Sequence, residues 1–558
     1  MTIIKINKME DLLSYLLKSL IALATLIFTF NLTVYSQSDP IGIEIQWMPL
    51  TDDQAYLNDM LEVAEAYQVD GFQISHNLMH SVDELVYPDK ERKNMIHTKI
   101  DPELLVNFTR QLQERGYEAH FWTHEVVGPP PAAVKDGKVI IDHPEMLPFT
   151  VQKYQQARDM LPMMNSVILT LFETEYKVFD DEEATTMSLP NTPTERTIAL
   201  IDLMTKMSDK IDVPLAVRGG FSESDEVARR VDAEFIHMVK NTETDWHPFA
   251  PLNDYITDRT HQAPMWVEFD AGYEYELRGT VPYGEPEKVM ERLKTSAAHG
   301  VRTFVVRLDR YGGQEKVSAI YTPWGELALS LFTEFKADTS VRVQQIIADW
   351  EKEHFPDAYE LVQLSTEVTK TLLFPKKMWY GNHSRPPSYT YAKKHILPAS
   401  GFGFAQESAT NDNVASVEAK ELLINSYRSH EPDSAWYHSI MTDLAIVEPK
   451  LEQIDQLLMK NQDYVEQHPI WIESIDRLKS WAEVLTLNQK IYFGIRLAQH
   501  HPGALLAEEL RALNQQYEAA LNQIRTDFTD VKGSHIGGLL WNTEKTVSEF
   551  AQQIDQLP

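Results

Sequence analysis

The feature that most constrains this chain is an alternation of two periods. From Ile41 to about Gly313, eight short apolar runs bounded by turn residues are separated by segments with the 3.6-residue period of a helix. The runs are "IGIEIQWMP" (Ile41 to Pro49), "GFQISH" (Gly71 to His76), "YEAHFWTHEV" (Tyr117 to Val126) and "SVILTLFETE" (Ser166 to Glu175). They continue with "VPLAVRGGF" (Val213 to Phe221), "EFIHMVKNT" (Glu234 to Thr242), "PMWVEFDAG" (Pro264 to Gly272) and "VRTFVVRLDR" (Val301 to Arg310). Between them lie segments such as "DPELLVNFTRQLQERG" and "EPEKVMERLKTSAAHG", several opening on Asp, Thr or Pro and closing on Gly as capping requires. Eight such units, over roughly the 250 residues a barrel of this kind takes, predict an α/β fold of the (β/α)8 TIM-barrel class. An open doubly wound sheet is the alternative assembly of the same units.

After residue 320 the strand signal stops. "SVRVQQIIADWEKEHF", "DAYELVQLSTEVTKTLLF", "IMTDLAIVEPKLEQIDQLLMKNQDYVEQ", "IDRLKSWAEVLTLNQKIYFGIRLAQHH" and "LLAEELRALNQQYEAALNQIRTDFTD" read as long amphipathic helices. They predict an all-α C-terminal domain over 321–558, packed on a barrel over 37–320. The aromatic, basic stretch "KKMWYGNHSRPPSYTYAKKH" between two of these helices reads either as a surface loop or as a wall over the barrel mouth.

The first 36 residues have the order of a secretory signal, with Lys5, Lys8 and Lys18 ahead of "SLIALATLIFTFNLTVYS" and Ser36 as a small cleavage residue. A membrane anchor is the other reading, although the apolar run is short against the roughly 20 residues a span needs. The expected location is therefore periplasmic or secreted, with no membrane association after cleavage. A net charge of −32 excludes nucleic acid and anionic membranes as main partners, because both require a basic footprint. The chain has no cysteine, so disulfides, thiol chemistry and Cys-ligated metals are excluded. No HxH or HExxH pair suggests a metal, and neither a metal nor a cofactor is expected.

In a barrel of this class the C-terminal strand ends make the active face. Those ends carry Trp47, His76, Asn77, Trp122, His124 and Glu125, then Glu173, Glu175, Tyr176, Arg218, Lys240, Asp245 and His247. The last two strands add Glu268, Tyr273, Tyr275, Arg307, Asp309 and Arg310. Taken singly, His124 reads as a core histidine, Trp47 and Trp122 as core filling, and Glu173 or Glu175 as an ion partner of Arg218. Convergence on one face points elsewhere: carboxylates move protons, aromatic faces stack on sugars, and Arg or Lys hold an acidic group. His124 and Glu125 are adjacent, so on a strand they point to opposite faces.

"VKNTETDW" followed by "WVEFDAGYEYELRG" resembles the central barrel of the family 67 α-glucuronidases. The resemblance implies Asp245 and Glu268 at the water-attack side, Lys240 and Arg218 on the uronate carboxylate, and Glu175 or Glu173 as general acid. The chain departs from the family where Leu171 replaces a lysine and "YKVF" replaces a glycine-containing turn beside that acid. Its first strand starts so near the cleavage point that the family's N-terminal α/β domain is not expected. The chain also resembles the secreted oligosaccharide dehydratases encoded with ulvan-degrading enzymes in marine bacteria. That likeness implies removal of water from a saturated uronic acid at the non-reducing end of an acidic oligosaccharide. Catalytic candidates are then His124, Tyr273, Glu175, Asp245 and Glu268, with Lys240, Arg218, Arg307, Arg310, Trp122 and Glu173 as substrate-binding candidates. Hydrolytic release of the uronic acid and non-catalytic uronate binding remain the alternatives.

Overall fold

All eight apolar runs form strands, and the strands close on themselves. The computed structural model describes residues 42–90, 92, 100–171, 174–178, 185–186, 191–219, 227, 235–242, 248–257, 263–272, 279–308, 318–375, 433–527 and 543–558. The strands are β1 (Glu44–Met48), β2 (Gly71–Ile74), β3 (Glu118–His124), β4 (Met164–Thr170), β5 (Leu215–Arg218), β6 (Ile236–Lys240), β7 (Met265–Asp270) and β8 (Thr303–Arg307). Each pairs in parallel with its neighbour in sequence, and β8 returns to pair with β1. This closed barrel excludes the doubly wound sheet. The N-terminal stretch read as a signal and the aromatic, basic stretch after Pro375 lie outside the described residues, and no described helix is long and apolar enough to cross a membrane.

Strict alternation along each strand decides what fills the barrel. Met48, Trp122, Ile168, Ala216, Met238, Trp266 and Val305 pack together in its interior, with Leu50. Each buried tryptophan removes about 150–250 Å² from water, a gross gain of roughly 4–6 kcal/mol at about 25 cal/mol per Å². Trp47 is one residue out of phase with Met48. It therefore faces outward, against Tyr67 at 5.5 Å and Phe72 at 6.3 Å between ring centroids. The expectation that Trp47 lines the mouth is corrected by this phase.

The eighth covering helix is α1 (Pro323–Ala337), which Thr322 caps by accepting from Gly325 N at 3.1 Å, with Pro323 in the first turn. Its inner face sets Phe332 against Phe269 at 5.5 Å and Phe335 against Phe304 at 5.8 Å. Gly325 lies so close to the backbone of Ala319 that an added Cβ would overlap it. Ala319 cannot easily withdraw, since its N–H donates to Leu308 O just past β8.

The described C-terminal region is helical, with α2 (Val343–Glu353), α3 (Ala358–Leu373), α4 (Ser434–Leu444), α5 (Val447–Lys460), α6 (Gln462–Gln467), α7 (Ile470–His500), α8 (Ala507–Asp527) and α9 (Thr543–Asp555). Two expectations change here. The segment read as one helix from Ile440 is broken into α4, α5 and α6. Helix α7 is not amphipathic: Trp471, Leu478, Trp481, Leu485, Tyr492 and Ile495 bury several of its sides, since α3, α4 and α8 all pack on it. Its buried amides find partners, Asn488 Nδ2 donating to Tyr517 OH and Gln489 to Leu372 O. Trp471 meets Trp324 of α1 at 5.8 Å, joining this region to the barrel within one compact unit, Glu44–Pro558.

A three-stranded excursion that sequence periodicity missed is built from Val134–Lys135, Lys138–Ile140 and Thr185–Thr186. Its hairpin turns at Asp136 and Gly137, both at positive φ (53° and 80°), the backbone an Asp-Gly pair favours.

Gly325→Ala is expected to destabilise the fold by about 1–3 kcal/mol, the cost of overpacking against backbone. Chemical denaturation of wild type and variant would measure it, and an unchanged midpoint would show that the α1 start can move.

Candidate active site

Register places the strand-end side chains. Along β3, His120, Trp122 and His124 share the inward phase. His124 lies opposite Thr170 of β4, and Thr170 opposite Arg218 of β5. Lys240 of β6 lies opposite Glu268 of β7, and Asp270 of β7 opposite Arg307 of β8. Thus His124, Arg218, Lys240, Glu268 and Arg307, drawn from five different strands, converge at the C-terminal end of one barrel.

Glu268 is the centre of the charged half. Arg218 donates to it twice, Nε to Oε2 at 2.7 Å and Nη2 to Oε1 at 3.1 Å. Arg307 Nη2 lies 3.3 Å from Oε1, and its Nη1 4.0 Å from Asp270 Oδ2. Burial by itself would push the Glu268 carboxyl up. The charges of Arg218, Arg307 and Lys240, together with the Arg218 hydrogen bonds, outweigh that and hold it at about 2. Among the described residues, three cations and two carboxylates meet here.

Trp122 links this half to the other. The Arg218 guanidinium lies 4.5 Å from the centre of the Trp122 ring, a cation–π distance. The indole Nε1 donates to Gln73 Oε1 at 2.8 Å, and Gln73 Nε2 donates to Gln46 Oε1 at 2.8 Å, which fixes the ring across β1, β2 and β3. His76 and His124 lie 5.3 and 6.3 Å from the Trp122 ring.

His124 is fully buried and stacks on His80, with ring centroids 3.7 Å apart and planes 7° from parallel. Its Nδ1 lies 2.6 Å from the His80 carbonyl oxygen, which can only accept. In the neutral ring Nδ1 therefore carries the proton and Nε2 the lone pair. Glu175 is held beside the end of β3. Its Oε2 accepts from Gly128 N at 3.0 Å, while Thr174 Oγ1 and Tyr176 N on either side donate to Val126 O at 2.7 and 3.1 Å.

The structure therefore brings Trp122, His124, Glu175, Arg218, Lys240, Glu268 and Arg307 to this end of the barrel. Asp245, Tyr273, Glu173 and Arg310 lie outside the described residues. Arg218, read from sequence either as a partner of Glu173 or Glu175 or as a ligand for a substrate carboxylate, is ion-paired to Glu268. Glu125 faces away from the barrel interior, as alternation requires. Sequence reasoning passed over Gln46, Gln73 and Thr170. All three are buried polar residues at inward phase in otherwise apolar strands, and that phase is the signal that would have found them. The Thr170 hydroxyl, between His124 and Arg218, has no hydrogen-bond partner among the described residues. Among the described residues no group of three His, Asp or Glu side chains is arranged to hold a metal.

Replacing Glu268 by Gln strands two guanidiniums in the barrel, and a loss of about 3–5 kcal/mol is expected. The pH dependence has a defined sign. A carboxyl held at about 2 in the fold, against an ordinary 4.5, contributes its full stabilisation above about pH 4.5 and loses it as pH falls toward 2. That contribution is on the order of 3 kcal/mol. Calorimetric stability from pH 6 to about 2 should therefore fall more steeply for wild type than for Glu268→Gln, and parallel curves would contradict the ion cluster.

The sequence matches no protein-family model, and no curated protein matches it. Solved structures do. The architecture is similar to that of a GH138 enzyme targeting pectin rhamnogalacturonan II, with a TM-score of 0.53 at 12% identity, over 93% of this chain and 67% of that one. It is also similar to the protein CpGH84B, with a TM-score of 0.42 at 9% identity, over 92% of this chain and 78% of that one. A Flavobacterium johnsoniae chitobiase of the GH20 type matches with a TM-score of 0.38 at 9% identity, over 92% and 78%. At the first of these values the likeness establishes the shared fold.

Proposed function

We propose that the chain is an exported carbohydrate-active hydro-lyase, a dehydratase. It would remove water from a saturated uronic acid at the non-reducing end of ulvan-type oligosaccharides and leave a 4,5-unsaturated uronate. The observation that carries this reading is the cluster of Arg218, Arg307 and Lys240 around Glu268, joined through Trp122 to a histidine whose Nδ1 is committed to a backbone carbonyl. A barrel of the same build serves an enzyme targeting pectin, which is compatible with a carbohydrate substrate.

Elimination needs the uronate carboxylate neutralised, because the C5 proton is acidified only when negative charge spreading onto that group is stabilised. Lys240 is the first candidate for the task, with Arg218 and Arg307 beside it. Trp122, buried beneath Arg218, holds that guanidinium in place. His124 Nε2 would accept the C5 proton; the C5–H electron pair becomes the second bond between C4 and C5 as the C4–O bond breaks. The departing oxygen takes one proton and leaves as water. The proton gained by His124 is enough to supply it, so the step balances without a redox partner. Glu175, and Tyr273 outside the described residues, are the further candidates for the leaving-oxygen side.

Hydrolysis by an inverting glucuronidase asks more of the carboxylates, one protonated as acid and one basic enough to activate water. Glu268, held at about 2, is a weak base, which favours an electrostatic role for it over a proton-transfer role. Asp245, five residues after Lys240 in the sequence, would then be a positioning or water-side group.

The purified protein should convert oligosaccharides with a saturated terminal uronic acid into products lighter by one water, with a new absorbance from the conjugated enol. Release of free uronic acid without that absorbance would replace elimination by hydrolysis, and binding with neither change would leave a carbohydrate-binding protein. His124→Gln is expected to lower kcat by about 10²–10⁴-fold, the range of general base catalysis. Lys240→Met should lower kcat/KM roughly 10- to 100-fold, the worth of one charged hydrogen bond, with part of the loss in kcat because the charge it neutralises grows in the transition state. An unchanged kcat/KM in either variant would contradict these roles.

A further inference from the structure

Outside the barrel, behind His124, lies a second ionic group that the proposed reaction does not use. Glu125, one residue on from His124, points to the opposite face and is buried there together with Lys153. Lys153 comes from the helix Met146–Met160, and its Nζ lies 2.7 Å from Glu125 Oε1 and 3.2 Å from Val127 O. Tyr154 OH of the same helix lies 2.7 Å from the same carboxylate oxygen and 2.9 Å from Thr123 Oγ1. Glu125 Oε2 accepts from Val127 N at 2.9 Å. Three donors thus converge on one carboxylate, and the group holds the chain on both sides of His124, at the Thr123 hydroxyl and at the Val127 backbone. Burial, then the Glu125 charge, push the Tyr154 phenol well up, so it stays a donor.

A buried ion pair of this kind is a poor device for stability alone, since a well-packed apolar pair of similar volume often does as well. Its distinguishing property is direction. The chain from Glu125 to Gly128 that it grips is the one on which the 174–176 segment is latched: Val126 O accepts from Thr174 Oγ1 and Tyr176 N, and Gly128 N donates to Glu175. The same grip therefore fixes where His124 leaves β3 and where Glu175 approaches it.

We propose that Glu125, Lys153 and Tyr154 are positioning residues, which set His124 and Glu175 from outside the barrel without touching substrate. The functional part of this inference rests on the reading of His124 as the proton-moving group. A misplacement on the order of 1 Å at such a group costs about 100-fold in rate. The effect is expected in kcat and in the titration of His124, with little change in KM, because Lys240, Arg218 and Arg307 lie on other strands.

The test compares wild type with Lys153→Met, with the charge-neutral pair Lys153→Met/Glu125→Gln, and with Tyr154→Phe, which keeps the ion pair. The pair carries no uncompensated buried charge, so it and Tyr154→Phe keep the question open to measurement if the single Lys153 variant does not fold. Histidine-ring NMR, with the His124 signals identified by their loss in His124→Gln, reads the positioning directly and needs no turnover. The expected result is a displaced His124 titration midpoint and a kcat lower by about 10- to 100-fold, with KM within about twofold, graded from Tyr154→Phe to the Lys153 variants. An unchanged His124 titration, or a lowered unfolding temperature with unchanged kcat, would overturn the proposal and leave the group a structural one. Should wild type release no water from uronate substrates, the elimination reading falls, while the ring titration still decides whether the clamp positions His124.

Discussion

The carboxylate of Glu268 sits inside the barrel with almost no access to water, and much of the surrounding arrangement follows from that. A buried charge of this kind persists only where opposite charges and hydrogen bonds replace its lost hydration. Arg307 does so from the neighbouring strand β8 and Arg218 from β5, one strand further round, while Lys240 adds its field from the register position opposite on β6. Fixing Arg218 in turn fixes the ring it covers, Trp122, and that indole is tied through Gln73 to Gln46. One carboxylate thereby organises polar contacts that span β1, β2, β3, β5, β7 and β8. The interior of a small parallel barrel is normally filled with branched apolar side chains. Here its upper layer is given over to charge, and the apolar layer beneath, with Met238, Ile168 and Val305, carries the packing.

The two halves of the mouth have different physical characters. Strands β5 to β8 gather Arg218, Lys240 and Arg307 around a deeply buried carboxylate that they hold ionised. Strand β3 and the loop after β4 present His124, its tautomer set by a backbone carbonyl, and Glu175, held by a backbone amide. Trp122 stands between them, buried and covered by Arg218. Separation of charge recognition from proton movement is what the proposed elimination next to a carboxylate requires.

Much of this was legible in the chain itself. The alternation of apolar runs and helical segments located all eight strands, because burial on both faces of a parallel strand leaves a continuous apolar signature. Phase along β3 foretold that His124 and Glu125 part company, and they do. Phase was also the missing step where the reading failed. Trp47 stands near a strand end but one residue out of register with the interior, and it packs under the covering helices instead. Gln46, Gln73 and Thr170 carry the inward phase and were passed over because attention fell on ionisable types. Helix α7 was read as amphipathic, since its neighbours on every side cannot be inferred from its own sequence. Arg218 was legible as a cation at the mouth; its commitment to Glu268, 50 residues away, was not.

By itself, then, the sequence determined the barrel, the helical region that follows it, and the set of side chains at the C-terminal strand ends. Those properties depend on local periods of two and 3.6 residues, and any window of the chain carries them. Only the tertiary structure decided which of those side chains act together. Ion pairing between Arg218 and Glu268, the His80 carbonyl that sets the His124 tautomer, and the Lys153 clamp on Glu125 all join residues distant in sequence. Their partners are selected by register around a closed barrel and by the strength of charge interactions in a dry interior, and neither exists until the chain has folded.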